Sequence, residues 1–228
     1  MLMQASSPSC VAIDAGFLHS LDDEPGPRPT SDLEARRRRP DSPLIPDHHE
    51  PPRRPMLALT SLAGWEDAVL ASVAGATGTP DERDAQIERS GLYGEYPAIV
   101  NAYIEHFGDA DSGMEALKRA YFLVWRGAMA TPADSGIASL PDGTIRLVID
   151  EIDAWARRGA TDAELRWMLG HYHAVGPSVL ELYGASAPLI RLASDVGGDA
   201  WHDAGIDRAA MAGRGQLGRY WTALIDRR

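Results

Sequence analysis

Two histidines, His171 and His173, are the only closely spaced histidines in the chain after residue 55. On a helix, residues two positions apart project about 200° from each other, so this pair cannot bind one metal ion while the helix is intact. His171 instead shares a helix face with Glu164 and Trp167. A histidine beside a carboxylate suits acid–base chemistry or ligand binding, although a lone histidine among apolar neighbours is more often a hydrogen-bonded, half-buried residue. We predict a candidate binding surface on this face and no metal.

A second histidine lies in the segment that contains Trp201 and His202. Asp199 and His202 have the i, i+3 spacing found in metal sites on helices, but the chain has no E-x-x-H or H-E-x-x-H segment to complete such a site. Trp167 and Trp201 each neighbour charged residues and a histidine, which predicts partly exposed positions. Exposed tryptophan beside acids is typical of protein-binding patches. We therefore add Trp201 and His202 to the candidate binding surface.

Residues 213–218 read Gly-Arg-Gly-Gln-Leu-Gly and match the G-x-G-x-x-G pattern of dinucleotide-binding proteins. That pattern indicates phosphate binding only where a strand precedes it, a helix follows, and an acid lies about 20 residues further on. Here the preceding segment is not strand-like, and the chain ends ten residues after the motif. We interpret the glycines as a flexible hinge into the last helix and predict no nucleotide cofactor.

A carboxylate cluster at Asp150, Glu151 and Asp153 has the residue type needed for acid–base catalysis. These acids lie opposite the apolar face of a predicted helix, so a solvated surface with Asp153 paired to Arg157 is the preferred interpretation. The single cysteine, Cys10, has no histidine–acid context for nucleophilic catalysis. We predict no catalytic residue, no metal and no cofactor.

The composition changes at about residue 55. Ten of the 16 prolines and the only cysteine lie before this point, whereas the periodic apolar pattern begins after it. The first segment lacks the apolar content that would offset the entropy of ordering a chain. The chain has a single lysine and a single asparagine, which indicates a GC-rich gene. We expect residues 1–55 to be a disordered tail or an untranslated segment with Met56 as the initiator, and residues 56–228 to form one domain.

The charge of the predicted domain restricts its partners. Residues 56–228 carry 24 acids and 15 bases, so they hold most of the net charge of −11. Such a domain is repelled by phosphate backbones, which argues against nucleic-acid binding and favours a basic protein partner. No apolar run approaches the roughly 20 residues that span a bilayer. A single cysteine fits a reducing compartment, so we predict a cytoplasmic protein without membrane association.

Capping signals and apolar periodicity predict an all-α fold. Residues 79–82, 112–115 and 161–164 fit the capping box, in which an N-cap hydroxyl accepts from the N3 amide and a glutamate reaches back. Residues 120–125 are apolar all round, which predicts a central, covered helix. Strand-like alternation is almost absent. We predict a single compact domain of about six to eight helices, including 61–74, 97–107, 114–129, 144–158, 161–175, 179–182 and the C-terminal segment.

These features favour a non-catalytic protein-interaction module of adaptor or inhibitor type that binds a basic protein. The acidic domain and the aromatic residues beside charges support this hypothesis. The alternative is a small enzyme or ligand-binding protein with a site around His171, Trp167, Glu164 and His202.

Overall fold

The computed structural model of the protein describes residues 56–195 and 208–226, all of which belong to one unit, Pro52–Arg228. Asp199, Trp201 and His202 lie outside the described residues, as does Cys10. The described residues form helices and connecting turns without a strand. No helix within these two ranges is both long enough and apolar enough to cross a membrane.

The described residues contain eleven α-helices, more than the six to eight predicted. They are α1 (Leu59–Ala74), α2 (Pro80–Arg89), α3 (Glu95–Ile104), α4 (Gly113–Met129), α5 (Pro132–Ser135), α6 (Asp142–Arg157), α7 (Ala163–Val175), α8 (Ser178–Leu182), α9 (Ala187–Asp195), α10 (Arg208–Met211) and α11 (Gly215–Ile225), with a 3-10 turn at Leu92–Gly94 before α3. The additional helices are α5, α9 and α10. They have nine residues or fewer, too short for an apolar period to be read from sequence.

Helix α4 is the centre of the domain, as its sequence predicts. Every side chain from residue 116 to residue 125 is buried, and α4 packs against α3, α6 and α11. Two of these buried residues, Lys118 and Arg119, are cations. Their burial requires partner groups, because an unpaired charge inside a protein is costly.

Helix α6 buries the predicted apolar face, with Ile145, Val148, Ile149 and Ile152 in the core. The predicted surface pair of Asp153 and Arg157 is wrong. Asp153 is buried and accepts hydrogen bonds from the amide and hydroxyl of Ser186, just before α9. The physical reason is that α9 packs against α6 and covers part of the face that α6 alone would expose.

One of the three predicted capping boxes is present. Thr79 and Glu82 form both reciprocal hydrogen bonds at the start of α2. At the start of α4, Ser112 makes no capping bond and instead donates to Asp109. At α7 the N-cap is Asp162, whose side chain accepts from the Leu165 amide. The glutamates of the other two predicted boxes, Glu115 and Glu164, make no capping bond and instead contact residues of other elements.

Candidate functional site

Those two glutamates, Glu115 and Glu164, belong to a partly buried charge cluster that joins α4, the start of α7 and the turn before α11. Lys118, the only lysine of the chain, lies with its Nζ 2.6 Å from Asp162 Oδ2 and 2.5 Å from Glu164 Oε2. Arg119 Nε lies 2.7 Å from Glu115 Oε1. We call Glu115, Lys118, Arg119, Asp162, Glu164 and Arg214 the charge cluster.

Arg214 connects the two carboxylates of the charge cluster. Its Nε and Nη2 lie 2.6 and 2.5 Å from the two oxygens of Glu115, and its Nη1 donates to Glu164. Burial raises the pKa of Glu164, but hydrogen bonds and charge from Arg214 and Lys118 outweigh it and hold that pKa below its ordinary value. The same pairing raises the pKa of Arg214 against the effect of burial. Both groups therefore keep their charges, which suits a structural cluster better than proton transfer.

A second buried polar site surrounds Glu66 of α1, which is 1% exposed. Its Oε1 accepts a 2.5 Å hydrogen bond from the Tyr103 hydroxyl, and its Oε2 accepts a 2.8 Å bond from the Gln216 amide. Burial raises the pKa of Glu66 to about 7, although the bonds from Tyr103 and Gln216 and the charge of Arg119 oppose the increase. The Glu66 carboxyl can thus gain or lose a proton near neutral pH.

The glycine motif forms the turn that holds Glu66. Gly215 has a φ of +59°, and a Cβ added there would lie 2.6 Å from Glu66 Oε2. A Cβ on Gly218 would lie 2.1 Å from the carbonyl oxygen of Met211. The first turn of α11 therefore binds an internal carboxylate at a helix N-terminus, a place where nucleotide-binding proteins bind phosphate. This fixed turn replaces the predicted flexible hinge.

Glu66 is not among the predicted site residues, although the sequence contains a signal for it. The buried residues of α1 include Leu62, Val69 and Val73, and Glu66 continues the same stripe at helical spacing. An acid within an apolar stripe requires a buried partner. The partner itself, the amide of Gln216, lies 150 positions away in the chain, which no local pattern reveals.

The predicted site on α7 lies in an aromatic cluster. Trp167 is only 4% exposed, so the predicted exposed position is wrong for this residue. The reason is α11, whose Trp221 ring lies with its centroid 4.0 Å from that of Trp167. His171 does share a face with Trp167, at 5.5 Å between ring centroids, and its Nε2 lies 2.8 Å from the Tyr220 hydroxyl. We call Phe122, Trp125, Trp167, His171, Tyr172, Tyr220 and Trp221 the aromatic cluster.

Among the described residues, Trp125 Nε1 of the aromatic cluster is buried without a hydrogen-bond partner. The Tyr172 hydroxyl and Trp221 Nε1 are also buried, and they lie close enough to each other to interact as acceptor and donor. The rings are neighbours, with centroids 4.4 Å apart for Trp125 and Tyr172 and 5.8 Å apart for Tyr172 and Trp221. Buried donors are normally satisfied, which makes the Trp125 indole N–H an exception within the aromatic cluster.

The structure therefore separates the predicted site residues. Trp167 and His171 are together in the aromatic cluster, whereas the carboxylate of Glu164 binds Lys118 and Arg214 in the charge cluster. The positions of Trp201 and His202 relative to them lie outside the described residues. Within the described ranges, no three His, Cys, Asp or Glu side chains are grouped so that they could hold a metal ion.

An open groove lies between the first turn of α6 and the end of α8, and we call it the α6–α8 groove. Its larger part is a cavity of about 640 Å³ with Ile145, Leu182 and Tyr183 in its lining. A smaller cavity of about 210 Å³, lined by Ile137 and Leu140 among others, shares Ile145 and Tyr183 with it. Leu182 is 72% exposed, so the groove presents one large apolar side chain to solvent beside the polar groups of Asp142 and Arg146.

Comparison of the chain with protein-family models, with curated proteins and with solved structures finds no match. Its function is therefore inferred from the chemistry of its own surfaces and buried groups.

Proposed function

We propose that the protein is a non-catalytic interaction module of adaptor or inhibitor type that binds a basic protein partner in the cytoplasm. The observation that carries the proposal is the α6–α8 groove, where Leu182 is exposed beside Ile145 and Tyr183 on an acidic domain. The acidic charge favours and orients the approach of a basic partner, and the apolar residues supply contact area.

The exposed apolar residues beside the groove lie on both of its helices. Leu182 ends α8, and Leu147 of α6 is 55% exposed one turn after Gly143, which lines the groove. Exposed large apolar side chains have a cost in solubility, and patches that contain them commonly mark contact surfaces. Because Trp167 is buried, the proposed contact surface lies on α6 and α8 and does not include Trp167.

The test is affinity capture of the whole chain from its native host, followed by mass spectrometry of the bound proteins. We expect a basic protein at near-equal stoichiometry, released by increasing salt because opposite charges contribute to the encounter. A chain recovered alone at low salt, or bound only to acidic proteins, would contradict the proposal.

A second candidate is a ligand-binding protein or small enzyme, with its site around His171, Trp167, Glu164 and His202. The buried indole N–H of Trp125 favours it, because a ligand carrying an acceptor atom would satisfy that donor. Native mass spectrometry of the purified protein tests this candidate. A bound mass that disappears in Trp125→Phe, which removes one donor and keeps a ring, would support it; an unliganded mass would count against it.

A further inference from the structure

We infer that the α6–α8 groove binds a short segment of the partner in which an apolar anchor residue lies next to a basic residue. This inference rests on the proposed interaction function and specifies where the partner binds and what it presents.

The apolar anchor follows from the two parts of the groove. The larger cavity opens beside Leu182 and is bordered by Ile145 and Tyr183. The smaller cavity continues from it toward Ile137 and Leu140, which are buried core residues. An aliphatic side chain inserted into the larger cavity would cover Leu182 and contact Ile145 and Tyr183. A few side chains buried in this way commonly supply most of the binding free energy of an interface.

The basic residue follows from the charges that line the groove. Asp142 borders both cavities and has no hydrogen-bond or ion-pair partner among the described residues. The one cation in the lining, Arg146, is already paired, since its Nε lies 3.0 Å from Asp150 Oδ1 and its Nη1 donates to the Gly184 carbonyl oxygen at 2.8 Å. A basic side chain in the groove would therefore meet Asp142, the one acid among the described lining residues, which no side-chain ion pair occupies.

An acidic segment fits the same groove poorly. The N-terminus of a helix attracts anions in general, and the first turn of α6 lines the larger cavity. Asp142 already occupies the first position of that helix, so an incoming carboxylate would meet a like charge. The lining thus discriminates between partners by repulsion as well as by attraction.

The experiment titrates three synthetic peptides into the full chain carrying isotope-labelled methyl groups. The peptides share a Gly/Ser background and differ at the centre, which reads Ile-Leu-Arg-Arg, Ile-Leu-Glu-Glu or Ala-Ala-Arg-Arg. We expect the first to shift the methyl signals of Ile145 and Leu182, and to bind at least about tenfold more tightly than either of the others.

Variants on the protein side locate the contact. Leu182→Ser should weaken the first peptide about tenfold and Asp142→Asn about fivefold. Val175→Ser is the matched control, because Val175 is also an exposed apolar residue, at the end of α7, and does not line the groove. Thermal melting of each variant verifies that it is folded.

Several results would overturn the inference. They are methyl shifts confined to other surfaces, equal binding of the acidic peptide, absence of binding by all three peptides, or a concentration-dependent dimer of the chain that Leu182→Ser abolishes. A captured partner that binds Leu182→Ser and Asp142→Asn as tightly as the unmodified chain would refute the groove and leave the interaction function standing. Failure of both the capture and the titration would refute the two together.

Discussion

At the scale of single residues, Glu66 is a buried carboxyl whose protonation changes near neutral pH. Its ordinary pKa of 4.5 applies to the unfolded chain, and burial raises the folded value to about 7. Between these values the folded state binds a proton that the unfolded state has released. Folding stability from this group is therefore fully present below pH 4.5 and is lost as pH rises through 7.

Glu66→Gln should remove this pH dependence. The glutamine amide keeps the shape of the carboxyl and can still accept from the Gln216 amide, but it carries no charge. A shift from 4.5 to about 7 corresponds to about 3 kcal/mol, so the variant should be more stable than the unmodified chain by this amount at pH 8 and nearly equal to it at pH 4.5. Urea denaturation across this pH range measures the difference.

The control for this prediction is Glu88→Gln, because Glu88 is exposed on α2. It should leave the pH profile of stability unchanged. A Glu66→Gln profile parallel to that of the unmodified chain would show that Glu66 does not control the dependence.

The turn before α11 gives a second prediction for a single residue. Gly215→Ala places a methyl group against the Glu66 carboxylate at a φ of +59°, and we expect it to destabilise the fold by about 3 kcal/mol. Gly213 has a φ of +71° but open space around it, so Gly213→Ala should cost only about 1 kcal/mol. Equal losses in thermal or chemical unfolding would mean that backbone strain alone, and not contact with Glu66, sets the cost.

At the scale of elements, the sequence predicts the helices whose apolar pattern lies within one segment. It does not predict the contacts between elements that are distant in the chain. The apolar face of α6 and the covered surface of α4 follow from periodicity within one segment. Glu115 and Glu164 occupy positions that also fit a capping box, and only the folded chain shows that they bind Arg214. Helix α9 is short, and the burial of Asp153 that accompanies it could not be read from α6 alone.

The charge cluster connects the turn before α11 to α4 and α7, and a substitution at Arg214 measures how much this connection stabilises the fold. Arg214→Met removes the buried cation that Glu115 and Glu164 share, while Arg119 and Lys118 still pair with these partly buried carboxylates. We expect a loss of about 2 kcal/mol in unfolding free energy. Arg219 is the matched control. It is 2.8 Å from Asp67 but more than half exposed, so Arg219→Met should cost under about 1 kcal/mol.

The contradicting outcome is an Arg214→Met variant as stable as Arg219→Met. It would mean that α11 is retained by its apolar face, including Leu217 and Trp221, without a contribution from the charge cluster.

At the scale of the whole molecule, buried side chains form hydrogen bonds with the backbone at the beginning of the described domain. His106 Nε2 lies 2.9 Å from the carbonyl oxygen of Leu57. Arg119 of the central helix donates from Nη1 to the carbonyl oxygen of Leu59 at 3.0 Å. A chain cut at the predicted boundary, residue 55, would retain both contacts, because Leu57 and Leu59 follow that residue.

Two shortened chains test this boundary. A protein that begins at Met56 should melt within about 2 °C of the full chain, since its sequence retains every buried contact described for residues 56–195 and 208–226. A protein that begins at Thr60 loses the partners of His106 and Arg119, and leaving two buried donors unsatisfied should cost about 2–4 kcal/mol. Calorimetry and urea denaturation measure both effects. A large loss on removing residues 1–55 alone would place part of the folding unit before Met56, and an unaffected Thr60 chain would mean that the two contacts do not stabilise the fold.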